Sequence, residues 1–270
     1  MFSAHIAVGL IAVTVVLTSN GPISAQANLP GPTIPSTSND LPAPIVPDAV
    51  ERRLKQMGAY LGSAEQLTFR ADLTFDHVLP SGQKLQFSAV ENIALQRPGN
   101  LYVEWAGDLG ERKFWYDGKA ITLLDAANAA YGSDAMAPTI DSMLDGLNKH
   151  LNFKPPLSDF LYSDPYGVLR ASVQYGFATG EAQVSGRNCA GFAFVEKQID
   201  WQIWIDTGPQ LVPCKLVITY KNHPSMPQFS ALFSEWDFSP RIAASTFTPA
   251  LPPQAQKIPF AKPKATVSSK

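Results

Sequence analysis

The histidines, which often carry acid–base catalysis or bind metals, are few in this sequence and lie in different predicted elements. The histidines are His5, His77, His150 and His223, and no two of them have the spacing of zinc ligands. The chain also lacks the G-x-S-x-G, H-E-x-x-H and P-loop motifs. We therefore expect a protein that is not an enzyme and that holds no metal and no cofactor.

Glu91 is the polar residue that is most informative about function. It interrupts the apolar face of a predicted strand, where a carboxylate has to be paired, neutral or at a wet rim. One interpretation is a register shift or bulge that turns the side chain outward, and the other is a polar group inside a ligand cavity. His77 lies on the same nominal face of the neighbouring strand, and both interpretations apply to it as well.

The two cysteines, Cys189 and Cys214, would meet an oxidising compartment if the chain is exported. They lie near the same end of two predicted strands that are separated by a third strand. Two strand spacings are about 9–10 Å, beyond the roughly 7 Å limit between the Cα atoms of a disulfide. We therefore expect free thiols, although a bulge in one strand would change that distance.

The fold that positions these residues is organised around the β-rich region 186–220. Three apolar runs, at 189–195, 201–205 and 212–220, are rich in β-branched and aromatic residues and are bounded by turn residues. The breaks between them are too short for crossover helices, so the three strands must be antiparallel neighbours.

The first half of the chain predicts a second set of strands. Leu67, Phe69, Ala71, Leu73 and Phe75 alternate with polar residues, as in a strand with water on one side. The next strand keeps Leu85, Phe87, Ala89, Ile93 and Leu95 in one register, and Asp117-Gly118 predicts a hairpin further on.

Two helices are predicted from the apolar spacing. Asp48 and Glu51 have the spacing of a capping box at the start of the first helix. The second helix follows a helical period through Ile140, Met143, Leu144, Leu147 and Leu151. Two meanders around a helical insertion indicate an α+β, mainly β fold, in which helices cover the concave face of one strongly curved antiparallel sheet.

The two ends of the chain predict export and a proline-rich linker. Residues 6–17 are apolar but shorter than the roughly 20 residues of a membrane span, and the A-x-A sequence Ala25-Gln26-Ala27 follows them. We predict a signal peptide at 1–27 that is cleaved after Ala27; an uncleaved anchor is the alternative. A linker at 28–47, one domain at 48–249 and a disordered tail at 250–270 complete the chain. The net charge of -2 and the pI near 6.1 argue against a nucleic-acid partner.

Three stretches together resemble a family of predicted bacterial periplasmic proteins of unknown function. They are 114–124, 157–165, and 200–206 followed by 215–220. That family is similar to the superfamily of the lipoprotein carriers LolA and LolB and the stress regulator RseB. The resemblance implies a half-barrel of about eleven antiparallel strands under a helical lid, a hydrophobic cavity for acyl chains, and a location in the periplasm.

The helical cover looks too small for such a sheet. One helix covers about 10 Å of width, against about 4.8 Å for each of many strands. We therefore expect a cavity that binds a lipid or acyl chain, as in a lipid or lipoprotein carrier that acts as a monomer. The alternative is an RseB-like interaction or sensing module with an envelope protein partner. The predicted cavity residues are Leu73, Phe75, Phe87, Glu91, Ile93, Met143, Leu144 and Leu147.

Overall fold

The computed structural model of the protein describes residues 45–260, which form one large sheet, three α-helices and two 3-10 turns. The helices are α1 (Asp48–Gly62), α2 (Ile140–Leu151) and α3 (Pro165–Arg170), and the 3-10 turns are Ser158–Phe160 and Ala244–Phe247. The strands are β1 (Gln66–Val78), β2 (Lys84–Gln96), β3 (Asn100–Gly107), β4 (Gly110–Tyr116), β5 (Ala120–Asp125), β6 (Ala130–Ala135), β7 (Tyr175–Val184), β8 (Arg187–Val195), β9 (Ile199–Asp206), β10 (Pro213–Tyr220), β11 (Gln228–Asp237) and β12 (Gln256–Lys257). The predicted signal peptide, most of the linker and residues 261–270 lie outside the described residues.

The sheet is open and has twelve strands in the order β12-β6-β5-β4-β3-β2-β1-β11-β10-β9-β8-β7. All neighbours are antiparallel except β12 and β6, which are parallel, so the sheet is mixed and has one strand more than expected. The two predicted meanders join where β1 pairs with β11, for example at Leu73 and Ala231. A single core cluster takes side chains from strands across this sheet and from all three helices. The sheet therefore curves around that core, and the helices cover its concave face.

Helix α1 buries its predicted apolar face. The side chains of that face are Val50, Leu54, Met57 and Leu61. The expected capping box is absent, because the helix begins at Asp48 itself with Pro47 as its N-cap and without a side-chain cap. Glu51 instead accepts a hydrogen bond from Arg170 Nε at 2.9 Å, and this pair ties α1 to α3.

Helix α2 starts at one end of the half-barrel. The side chain of Thr139 caps it in a reciprocal pair with Ser142, and the Ile140 amide donates to the carbonyl of Pro98 in the β2–β3 turn. Beside that turn, Arg97 donates to three backbone carbonyl groups, of which two follow the 3-10 turn Ser158–Phe160 and one follows α1. These contacts hold the helical segments at the end of the half-barrel that carries the β2–β3 turn.

The two cysteines form a disulfide, so the prediction of free thiols is wrong. Their Cα atoms are 6.7 Å apart although β9 lies between β8 and β10. The register of β10 shifts between Pro213 and Lys215, and the extra residue in this bulge is Cys214. Cys189 pairs with Asp206, the last residue of β9, so the bridge crosses where the middle strand ends. The bulge and the strand end together bring the two Cα atoms within disulfide range.

The segment after residue 249 is part of the fold as far as residue 260, which corrects the predicted tail. The amides of Gln256 and Ile258 donate to carbonyl groups of Ala129 and Tyr131, which add β12 to the sheet edge. Phe260 then packs over Gly132, where a Cβ atom would lie 2.9 Å from the ring. At the other end, Val46 of the predicted linker packs against the core.

Candidate functional site

The space between the concave face of the sheet and α2 is filled by apolar side chains. Of the predicted cavity residues, five are buried in the main core cluster: Leu73, Ile93, Met143, Leu144 and Leu147. Two hollows in the described part of the chain lie away from α2, one beside Arg70 and Tyr102, which Ile93 also lines, and one between α1 and α3. The expected open cavity is therefore closed in this structure, because the side chains of α2 fill it.

The cover is incomplete at the end of the sheet that carries the β1–β2 hairpin. Phe75 and Phe87 are direct cross-strand partners with ring centroids 6.0 Å apart, and both are only half-buried. Phe229 and Ile218 continue this row across β11 and β10 and are also half-buried. His77 lies two residues further out along β1 and is exposed. An apolar row at this open end therefore leads from solvent into the core.

Helix α2 is tied down by polar contacts in its first half. Asp141 accepts a hydrogen bond from the Ser163 amide at 2.9 Å, and Asp145 accepts one from the Tyr162 hydroxyl at 3.0 Å. In the described part of the chain, no hydrogen bond or ion pair links residues 146–151 to another element. The second half of α2 is therefore held to the rest of the protein by apolar packing.

Glu91 faces the concave interior, so the outward bulge does not occur. It pairs with Ala71 on one side and with Trp105 on the other, and its side chain is only 4% exposed. Its Oε2 atom is buried and has no hydrogen-bond partner among the described residues. Burial raises the pKa of Glu91 from 4.5 to about 8. At neutral pH the carboxyl is therefore protonated, and it offers a hydroxyl donor within an apolar surface.

A polar row extends from Glu91 along the same face. Trp105 pairs with Arg112, whose guanidinium carbon lies 5.0 Å from the centroid of the Trp105 ring. Arg112 pairs in turn with Asp125, but the Asp125 carboxylate accepts its hydrogen bonds from Asn128. Trp105 and Arg112 are half-buried, so this row runs from the interior towards the rim.

A second polar group lies at the same end of β8, β9 and β10. Trp201 donates from Nε1 to Glu196 at 2.9 Å, and burial is the main cause that raises the pKa of Glu196. The Tyr220 hydroxyl is buried without a partner among the described residues, and burial raises its pKa too. Lys154 forms an ion pair with Asp159 nearby. This group makes one wall of the open end polar.

Sequence reasoning singled out Glu91 but missed Arg112 and Tyr220. The sequence does contain a signal for Arg112. Its side chain lies on the same face of β4 as those of Phe114 and Tyr116, which face the core. A charged residue on an apolar strand face raises the same question as Glu91, namely whether its side chain turns outward or lies inside a ligand cavity. Tyr220 had no such signal, because a tyrosine at a strand end is common in cores.

Between residues 45 and 260, no group of three or more His, Cys, Asp or Glu side chains is placed to hold a metal ion. Over the same range, none of the helices combines the length and apolar character that a membrane span needs.

Comparisons with known proteins concern the family and the general fold. The family model described as "Predicted periplasmic protein (DUF2092)" matches residues 50–261. A search of curated proteins finds no match. Among solved structures, the lipoprotein LppX of Mycobacterium tuberculosis is 10% identical, with a TM-score of 0.45 over 70% of this chain and 95% of its own. LprF from Mycobacterium bovis is 12% identical, with a TM-score of 0.40 over 80% and 100%. A LolA superfamily protein from Nitrosomonas europaea is 5% identical, with a TM-score of 0.38 over 74% and 97%.

Proposed function

This chain belongs to the DUF2092 family of predicted periplasmic proteins, and on that premise we propose that it is a periplasmic module that binds an acyl chain between its sheet and helix α2. The proposal includes export with cleavage after Ala27 and binding without catalysis. In this view the structure is the closed form, and the ligand replaces the contacts that the second half of α2 makes with the sheet.

The observation that carries the proposal is the half-buried apolar row at the open end of the sheet. Phe75, Phe87, Phe229 and Ile218 lie on the concave face and lead directly into the core beneath α2. If these four residues only completed an ordinary core, other side chains would cover them, because exposed apolar surface is unfavourable. An acyl chain that enters there gains about 0.8 kcal/mol for each methylene group that leaves water.

The lid in this proposal is the second half of α2. Met143, Leu144 and Leu147 pack on the sheet, while the polar contacts of the helix lie at Asp141 and Asp145. The first half therefore acts as the fixed end, and lifting the second half exposes apolar surface that an acyl chain covers again. The free-energy cost of opening is offset by ligand burial, because one apolar contact replaces another.

The first test is extraction of the natively purified protein with organic solvent, followed by mass spectrometry and by titration with a fluorescent fatty acid. A charged residue at Leu147, which is 1% exposed, would disrupt the core and is not informative. Phe87→Ser acts at the open end instead. We expect it to weaken probe binding roughly tenfold, since about 1.4 kcal/mol of apolar contact is lost.

The matched control is Phe177→Ser, because Phe177 is 53% exposed on the edge strand β7, away from the interior. This variant should bind the probe as the wild type does. A wild-type protein that yields no lipid and takes up no probe would overturn the proposal.

A second candidate, a module that binds an envelope protein, is favoured by the edge strand β7. Its residues 177–183 are exposed and include one charged side chain, Glu181. Such an edge is suited to pairing with an extended segment of another protein. Cross-linking in the periplasm, with and without the substitution Gln183→Pro, which removes an edge-facing N–H, would test this candidate. A protein partner that is lost in the variant, together with no bound lipid, would support it.

A further inference from the structure

Three side chains on the concave face form a polar path through apolar surroundings. Glu91, Trp105 and Arg112 are consecutive cross-strand partners on β2, β3 and β4, so their side chains share one face. Glu91 is buried, whereas Trp105 and Arg112 are half-buried. The path therefore presents two polar groups at two depths, with an aromatic ring between them.

Arg112 is a cation without an anion. In the described part of the chain Arg112 forms no ion pair. Its guanidinium carbon lies over the Trp105 ring, 5.0 Å from the ring centroid. Asp125, the carboxylate opposite it on β5, accepts instead from the amide and the side chain of Asn128 at 3.2 and 2.9 Å. A guanidinium is planar and presents its N–H donors in one plane, and this geometry suits an anion with several oxygen atoms.

Glu91 is a polar group without a partner. Its Oε2 atom is buried, and no described residue forms a hydrogen bond with it. Ala71 and Ala89 are its small apolar neighbours on the same face, and both are buried. Leaving a buried hydrogen-bonding group unsatisfied is costly, so a ligand oxygen placed there would be bound with a clear gain.

The depths and the spacing of the two groups indicate the ligand. Two strand spacings of about 4.8 Å separate the backbones of Glu91 and Arg112. We propose that Arg112 and Glu91 bind the polar end of an acyl ester with an anionic head group. The anion contacts the Arg112 guanidinium at the rim, and the ester carbonyl accepts a hydrogen bond from the deeper Glu91 carboxyl. This inference rests on the proposed function, since the acyl chain of the same ligand lies beneath α2.

The test compares three ligands with the same chain length in displacement of a neutral fluorescent dye. Lysophosphatidic acid carries both the anion and the ester carbonyl, a monoacylglycerol lacks the anion, and ether-linked lysophosphatidic acid lacks the carbonyl. The wild type should bind the first ligand roughly tenfold more tightly than either analogue, because each analogue loses one charge-assisted or buried hydrogen bond.

The variants separate the two contacts. Arg112→Gln should abolish the preference over the monoacylglycerol and keep the preference over the ether analogue. Glu91→Leu should do the reverse, whereas Glu91→Gln keeps a donor and should retain both preferences. Arg52→Gln, which removes an exposed cation on α1, should change neither preference.

Each remaining outcome contradicts a different part of the reasoning. If the wild type binds all three ligands equally, the assignment of Arg112 and Glu91 is wrong while acyl-chain binding stands. If Glu91→Gln behaves like Glu91→Leu, the hydrogen bond to the carbonyl is refuted. If none of the three ligands displaces the dye, the proposed function itself fails.

Discussion

Replacing Glu91 by glutamine should remove most of the pH dependence of the stability of this protein between pH 5 and 8. The carboxyl is 4% exposed and its Oε2 atom has no partner, so its ionised form is strongly disfavoured in the folded state. Glutamine has nearly the same shape but does not titrate. The substitution Glu91→Gln therefore removes the proton equilibrium and leaves the packing in place.

The magnitude follows from the pKa of Glu91, which burial raises from 4.5 to about 8. Between these two values the folded protein retains a proton that the unfolded chain has released. The free energy of unfolding consequently falls as the pH rises, by about 1.4 kcal/mol for each pH unit. Over the whole interval the loss is roughly 5 kcal/mol, and it ends above the folded pKa, where both states are ionised. Between about pH 5 and about pH 8 the expected loss is roughly 4 kcal/mol.

The assay is urea unfolding, followed by tryptophan fluorescence, at several pH values across that interval. Glu91→Gln should match the wild type to within about 1 kcal/mol near pH 5 and exceed it by several kcal/mol near pH 8. Glu181→Gln, at an exposed position on β7, is the control for loss of a carboxyl. If wild type and Glu91→Gln lose stability in parallel as the pH rises, Glu91 does not hold a proton in the folded state.

The other predictions concern export, the disulfide and Arg97. The exported protein should begin at Asn28, and a membrane fraction that retains Met1 would contradict cleavage after Ala27. The native protein should show no free thiol when unfolded without reductant, and the double substitution Cys189→Ser/Cys214→Ser should cost about 3 kcal/mol, because the bridge closes a loop of 25 residues. Arg97→Met should also cost about 3 kcal/mol in urea unfolding, since three backbone carbonyl groups lose a charged donor; unchanged stability would show that solvent replaces these bonds.

The local elements of this protein could be predicted from the sequence. The alternation from Leu67 to Phe75 identified β1, and the helical period from Ile140 to Leu151 identified α2. These predictions succeeded because one buried face imposes a period on its own strand or helix, whatever lies opposite. The family was also identified from three short stretches of sequence, and the match to residues 50–261 confirms it.

The sequence by itself thus determined strands such as β1 and β2 and the helices α1 and α2, which of their faces are apolar, and that Glu91 breaks such a face. The tertiary structure decided which strands and side chains contact one another. It joined β1 to β11, brought Cys189 and Cys214 together through a bulge, added β12, and placed Arg112 beside Trp105. Each of these contacts links residues on separate strands, and pairing between strands leaves no period in either segment. The same reason explains Glu91: its sequence position shows a misplaced carboxyl, but only the packing of neighbouring strands and helices leaves that carboxyl buried and without a partner.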